Sequence, residues 1–200
     1  MTWVKVCGLS CREDVEAAVG AGADAVGFVL IPESPRAITL EKAVELVDLS
    51  SITRIILTRD LGPQDLVAAA LAVGADGVQP YGAFSQEASK EAAEVGLMVL
   101  RPVPMTGVVD LTRIPAEQTP LLDNFSSDRL GGSGRSFDHT LIPATDREYV
   151  IAGGLGPDNV RAVIHATRAW GVDASSGLES APGRKDLDLI HRFVSEARQA

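Results

Sequence analysis

Short apolar runs alternate with stretches of helical periodicity along this chain. Eight of the runs read as strands, at residues 4–8, 25–30, 54–57, 77–80, 98–102, 120–124, 149–153 and 172–174. They are apolar on both faces, as strands covered on each side must be. Between them, Ser10 followed by Glu13 reads as a capping box, Thr39 as an N-cap and Pro157 as a first-turn proline. Val160, Val163, Ile164 and Trp170 share one helical face, and Leu187, Ile190, Phe193, Val194 and Ala197 share another. A weak repeat supports the count. Gly22-Ala23-Asp24-Ala25-Val26-Gly27 is echoed by Gly74-Ala75-Asp76-Gly77-Val78-Gln79 and faintly by Gly171-Val172-Asp173-Ala174, each glycine suited to cap a helix and feed a strand.

This order predicts an α/β fold of parallel βα units, closed as a compact (β/α)8 TIM barrel in one domain over residues 1–200. The regularity fails at residues 103–119 and 126–147, where proline, glycine and polar residues leave little room for helix. The fifth and sixth helices are therefore expected to be shortened or degenerate. That economy fits eight units into a chain shorter than the ~250 residues this architecture usually takes. A doubly wound open sheet is the competing arrangement, but no GxGxxG turn follows the first strand.

Composition narrows the setting more than the chemistry. Hydrophobic residues make up 46% of the chain and charged residues 22%, and no apolar run approaches the length of a membrane span. The amino terminus enters an apolar run directly, without the basic and long hydrophobic segments of an export signal. Two cysteines, Cys7 and Cys11, are too few for a disulfide framework, so the cytoplasm is the expected compartment. A net charge of −9 argues against nucleic acid as a partner, though local backbone donors could still hold a small anion. Monomer and homodimer both remain open.

In a barrel of this kind chemistry gathers at the carboxyl ends of the strands. Cys7 ends the first. It reads either as a small buried hydrophobe or as a reactive thiol, because Lys5, two residues back, faces the same side and an ammonium there would favour the thiolate. Lys5 could equally pair with an interior carboxylate and leave Cys7 untouched. Asp123 ends the sixth strand, as a turn cap or as a carboxyl facing a substrate, with the glycine-rich Gly131-Gly132-Ser133-Gly134 beyond it. After strands seven and eight come Ala152-Gly153-Gly154-Leu155 and Asp173-Ala174-Ser175-Ser176-Gly177-Leu178-Glu179. Two small-residue loops at these two positions look like a phosphate cradle built from backbone N–H groups.

Taken in order, these motifs resemble the phosphoribosylanthranilate isomerase family over essentially the whole chain. The residues that carry the likeness are Val4-Lys5-Val6-Cys7-Gly8-Leu9, Ser34-Pro35-Arg36, Leu122-Asp123, Phe137-Asp138, Gly153-Gly154-Leu155 and the run from Asp173 to Glu179. The resemblance implies an Amadori rearrangement in tryptophan biosynthesis that needs no cofactor and no metal. It makes Cys7 the general base and Asp123 the general acid. It further implies that Arg36 holds the anthranilate carboxylate, that Gly154, Ser175 and Ser176 hold the phosphate, and that Asp173 orients ligand or loop.

The chain departs from the family in two places. A strand that commonly ends Gln-Leu-His-Gly reads Gln79-Pro80-Tyr81-Gly82 here, and the tryptophan usual after Phe-Asp is His139. A metal-dependent sugar-phosphate epimerase on the same barrel would need histidines at strand ends, and neither His165 nor His191 occupies one. A related isomerase of a histidine-pathway aminoaldose uses aspartate where Cys7 stands. A barrel that only binds a phosphorylated ligand is disfavoured by the survival of both catalytic candidates.

Overall fold

All eight expected strands form and pair in sequence order as a closed parallel barrel in the computed structural model, which describes residues 1–124 and 137–200. They are β1 (Trp3–Cys7), β2 (Ala25–Val29), β3 (Thr53–Arg59), β4 (Gly77–Tyr81), β5 (Met98–Pro104), β6 (Gln118–Asp123), β7 (Val150–Ile151) and β8 (Gly171–Ala174). β1 pairs with β8 through Lys5 opposite Asp173, which closes the ring. The outer helices are α1 (Arg12–Ala21), α2 (Leu40–Val47), α3 (Pro63–Val73), α4 (Ser85–Glu94), α5 (Val160–Thr167) and α6 (Leu187–Arg198). A short hairpin, β9 (Glu179–Ala181) with β10 (Arg184–Lys185), intervenes between β8 and α6.

Strand periodicity sorts the side chains into a shell and a barrel interior. Outward residues such as Val4, Val6, Val26, Phe28 and Ile56 join the apolar faces of the helices in the largest core cluster. Inside, Ala25, Ile55, Leu100, Leu121 and Val150 plug the amino-terminal end, with Trp3 and Trp170 against them. At the other end Cys7, Val29, Ile31 and Leu57 form an apolar wall that Tyr81 joins. Between these layers lies a buried polar one.

Where the fifth and sixth helices were expected to shrink, the described residues carry only 3-10 turns, at Leu111–Arg113 and His139–Leu141. Thr39 does cap α2, accepting from the Lys42 N–H at 3.2 Å. The capping box does not form. Cys11 is the N-cap of α1, and the Ser10 N–H donates to the Asp14 carboxylate at 3.1 Å, so the side chain that reaches back comes from four residues on. Pro157 lies ahead of its helix, because Asn159 ties the preceding turn by accepting from Gly156 N–H and donating to the Gly154 carbonyl. α5 therefore starts at Val160. Trp170 is off the helical face assigned to it. The chain leaves α5 through a left-handed Arg168, which turns Trp170 onto Trp3 with ring centroids 5.1 Å apart, and Gly171 opens β8 rather than capping a helix.

Candidate active site

A cavity of about 620 Å³ opens at the carboxyl ends of the strands. Cys7, Arg36, Asp123, Gly154, Asp173, Ser175 and Ser176 all line it, so every residue singled out for the site meets in one place. The Gly131-Gly132-Ser133-Gly134 loop lies outside the described residues.

The centre is built from side chains on four strands. Lys5 and Cys7 both project inward from β1, and a Cβ on Gly27 of β2 would stand 2.8 Å from the Cys7 sulfur, so glycine leaves room for the thiol. Lys5 is wholly buried, and its Nζ donates to Asp173 Oδ2 at 2.8 Å and to Gln79 Oε1 at 2.9 Å. An ammonium can only donate, which fixes the Gln79 amide with its oxygen toward Lys5. Gln79 Nε2 then donates to the Tyr81 hydroxyl at 2.6 Å. A hydrogen-bonded line from Asp173 through Lys5 and Gln79, beneath Cys7, thus crosses the barrel and rises to Tyr81 in the apolar wall.

This geometry joins the two readings of Lys5. Its ammonium pairs directly with Asp173 and also interacts with the Cys7 thiol. Burial pushes the Cys7 thiol above its ordinary range, and the Asp173 carboxylate adds to that shift, together outweighing the Lys5 and Lys185 ammoniums. The protein's own groups therefore favour the thiol at Cys7, and Lys5 does not by itself make it a thiolate. Burial works against the Lys5 charge too, but Asp173 and Cys7 hold its pKa above the ordinary value.

Asp123 ends β6 nearly buried, and its carboxyl is pushed up to about 6, first by burial and then by the Asp173 carboxylate. A hydrogen bond from the Asn124 backbone and the charge of Lys5 oppose the shift without cancelling it. Tyr81 is driven well above its ordinary value by burial and by the charges of Asp123, Cys7 and Asp173, which places the phenol among all three. One oxygen of Asp173, Oδ1, is buried without a hydrogen-bond partner among the described residues and can accept from a bound hydroxyl or amine.

The β7 and β8 ends are built differently. Here backbone meets backbone, since a Cβ on Gly177 would collide with the Leu155 carbonyl oxygen and crowd Gly156. Asn159 shapes the Gly154 loop from below. The result is a concave floor in which main-chain groups are reachable.

Sequence reasoning missed three members of the site. Gln79 and Glu179 lay inside quoted motifs but drew no role, and Lys185 drew no attention. Glu179 accepts from Arg36 Nε at 2.6 Å and Nη2 at 2.9 Å, and from Lys185 Nζ at 2.8 Å. The only signal available was Glu179 itself, an acidic residue between two small-residue turns that would need a cation if buried. Burial alone would raise its carboxyl, but the hydrogen bonds from Arg36 and Lys185 hold it below the ordinary range.

Comparison with known proteins agrees with this picture. The profile of the N-(5'phosphoribosyl)anthranilate (PRA) isomerase family matches residues 4–196. The N-(5'-phosphoribosyl)anthranilate isomerase of Rubrobacter xylanophilus is 38% identical over 205 residues, covering 99% of this chain and 100% of that one. The crystal structure of phosphoribosyl anthranilate isomerase from Thermotoga maritima superposes with a TM-score of 0.89 at 36% identity, over 100% of both chains. A solved isomerase in complex with reduced 1-(o-carboxyphenylamino)-1-deoxyribulose 5-phosphate gives a TM-score of 0.83 at 32% identity, again over 100% of both. By full-length sequence match and by fold, the chain belongs to the N-(5'-phosphoribosyl)anthranilate isomerase family.

Proposed function

We propose that this barrel domain converts N-(5-phosphoribosyl)anthranilate to 1-(2-carboxyphenylamino)-1-deoxyribulose 5-phosphate, with Cys7 as general base and Asp123 as general acid. The observation that carries the assignment is the meeting of a buried thiol and a carboxyl of raised pKa in one cavity floored by the β7 and β8 loops. Two free cysteines fit a reducing cytoplasm, and no described helix is long and apolar enough to cross a membrane.

The reaction needs two proton movements. Asp123 gives its proton to the ribose ring oxygen as the C1–O bond breaks and the anilinic nitrogen becomes an iminium. A carboxyl at about 6 is a far better donor at neutral pH than an ordinary aspartate, because a useful fraction stays protonated. The iminium then acidifies the C2 hydrogen, Cys7 as thiolate removes it, and the enolamine tautomerises to the ketone. The protein's own groups leave the thiol too weakly acidic to be the base as it stands. The cationic iminium beside it reverses that bias, so the thiol releases its proton to solvent and the thiolate forms in the complex, when it is needed.

Recognition divides between the two ends. Gly154, Ser175 and Ser176 hold the phosphate, Arg36 takes the anthranilate carboxylate with its planar fork, and the unpartnered Asp173 Oδ1 accepts from the sugar or the amine. The test is the loss of substrate fluorescence in the presence of chelator. Cys7→Ser and Asp123→Asn should each lower kcat by roughly 10²–10⁴ while inorganic phosphate still inhibits as in wild type. Full turnover by either variant would overturn the assignment.

A further inference from the structure

Arg36, Glu179 and Lys185 form a buried set of two cations around one carboxylate, on the side of the cavity where β1, β2 and β8 meet. Their side chains are 9%, 4% and 0% exposed. Glu179 takes the side edge of the Arg36 guanidinium, Nε and Nη2, and also accepts from the Gly183 N–H at 3.2 Å. Nη1 makes no hydrogen bond among the described residues. The end edge of the fork, Nη1 with Nη2, is therefore the edge left for a second carboxylate at the cavity that Arg36 lines.

Lys185 reaches the other end of the site. Besides Glu179, its Nζ donates to the Ser175 carbonyl at 3.0 Å and lies 3.4 Å from Ser175 Oγ. Since the ammonium has no lone pair, Ser175 Oγ must accept from it, which leaves the serine proton to be given to an anion. The two ends meet over Gly8, where a Cβ would stand 2.6 Å from Arg36 Cδ and 2.9 Å from Ser175 Oγ.

We propose that Glu179 and Lys185 are positioning residues with separate tasks: Glu179 aims the free edge of Arg36 at the substrate carboxylate, and Lys185 orients Ser175 toward the phosphate. This rests on the functional reading above. Glu179 is a counterintuitive residue to find here, because a carboxylate beside two anion subsites repels both ligands. Its presence is explained if aim matters more than local charge. The set carries one net positive charge, and removing Glu179's charge would raise it to two.

That sign makes the experiment decisive. Binding of two separate probes, inorganic phosphate and anthranilate, is measured by calorimetry on wild type, Glu179→Gln and Lys185→Met, so that no turnover is required. Substrate conversion by wild type is assayed separately, and its absence would sink the functional reading alone. For Glu179→Gln the expected result is anthranilate weakened about tenfold with phosphate unchanged or tighter, and a rise in KM larger than any fall in kcat. Tightening of both probes would show that Glu179 acts only through its charge, and weakening of both that it only holds the fold; either overturns the proposal. Lys185→Met should weaken phosphate about tenfold and anthranilate less than threefold. Equal loss of both probes in that variant overturns it as well, which keeps the test open if Glu179→Gln does not fold.

Discussion

The two halves of the cavity are made of different material. At the β7 and β8 ends the surface is largely main chain, held by close backbone approach and by Asn159. At the centre it is a constellation of titrating side chains, Lys5, Cys7 and Asp123 from β1 and β6, gathered around the Asp173 carboxylate of β8. Peptide N–H groups keep their dipoles at every pH, whereas the central groups change charge with their neighbours. On the proposed assignment, the hold on phosphate is set chiefly by shape and the chemistry by electrostatics. The largest break in that comparison comes from Gly177→Ala. Its methyl would push against the Leu155 carbonyl and force the two loops apart, costing about 2–4 kcal/mol of stability. Inhibition by inorganic phosphate should weaken at least tenfold while the pH dependence of Cys7 alkylation stays as in wild type. Unchanged phosphate inhibition would mean that backbone approach is not what shapes the cradle.

The central region can be broken in the opposite direction, toward greater stability. Folding raises the Asp123 carboxyl from its ordinary 3.8 to about 6, so between these values the folded protein binds more protons than the unfolded chain. Stability then falls as pH rises through that window, and above pH 6 the ionised Asp123 is a standing cost on the order of 2–3 kcal/mol. Asp123→Asn removes the charge. The variant should melt higher than wild type at pH 8, match it near pH 4, and have lost turnover at both. A variant no more stable at pH 8 than at pH 4, relative to wild type, would remove the ground for treating the carboxyl as a poised acid.

The same contrast governs what could be read in the sequence. The alternation of strand and helix, the strand-end placement of Cys7 and Asp123, and the small residues at Gly154 and Ser175 are local patterns, and local patterns survive in a linear string. Helix starts were less legible. Which side chain reaches back, Asp14 rather than Glu13 or Asn159 ahead of Val160, depends on geometry that several residues could satisfy equally well. Pairings across the barrel were legible only in kind, as an interior carboxylate for Lys5, and not by residue. Lys5 meets Asp173 across 168 positions and Arg36 meets Glu179 across 143, so only closure of the ring shows which carboxylate the first ammonium pairs with and that the guanidinium is already half engaged. The electrostatic state of Cys7 follows from those pairings and was hidden with them.

The smallest expected effect tests how far the central constellation extends. Tyr81 stands where the family commonly carries histidine, and its hydroxyl is the acceptor that fixes the Gln79 amide, which in turn presents its oxygen to Lys5. Tyr81→Phe keeps the ring against the apolar wall but strips Gln79 Nε2 of that acceptor at a residue 1% exposed. The loss should be about 1 kcal/mol, less than a dry core would exact because the cavity lies alongside. Turnover should fall severalfold, inorganic phosphate should bind as before, and the alkylation profile of Cys7 should shift, since Gln79 is free to turn and the Lys5 ammonium moves with it. Tyr81→His restores a ring nitrogen able to accept, and should recover part of each loss. If the phenylalanine variant alkylates and melts like wild type, the line of hydrogen bonds ends functionally at Gln79, and Tyr81 belongs to the wall of the cavity rather than to the charges that run its chemistry.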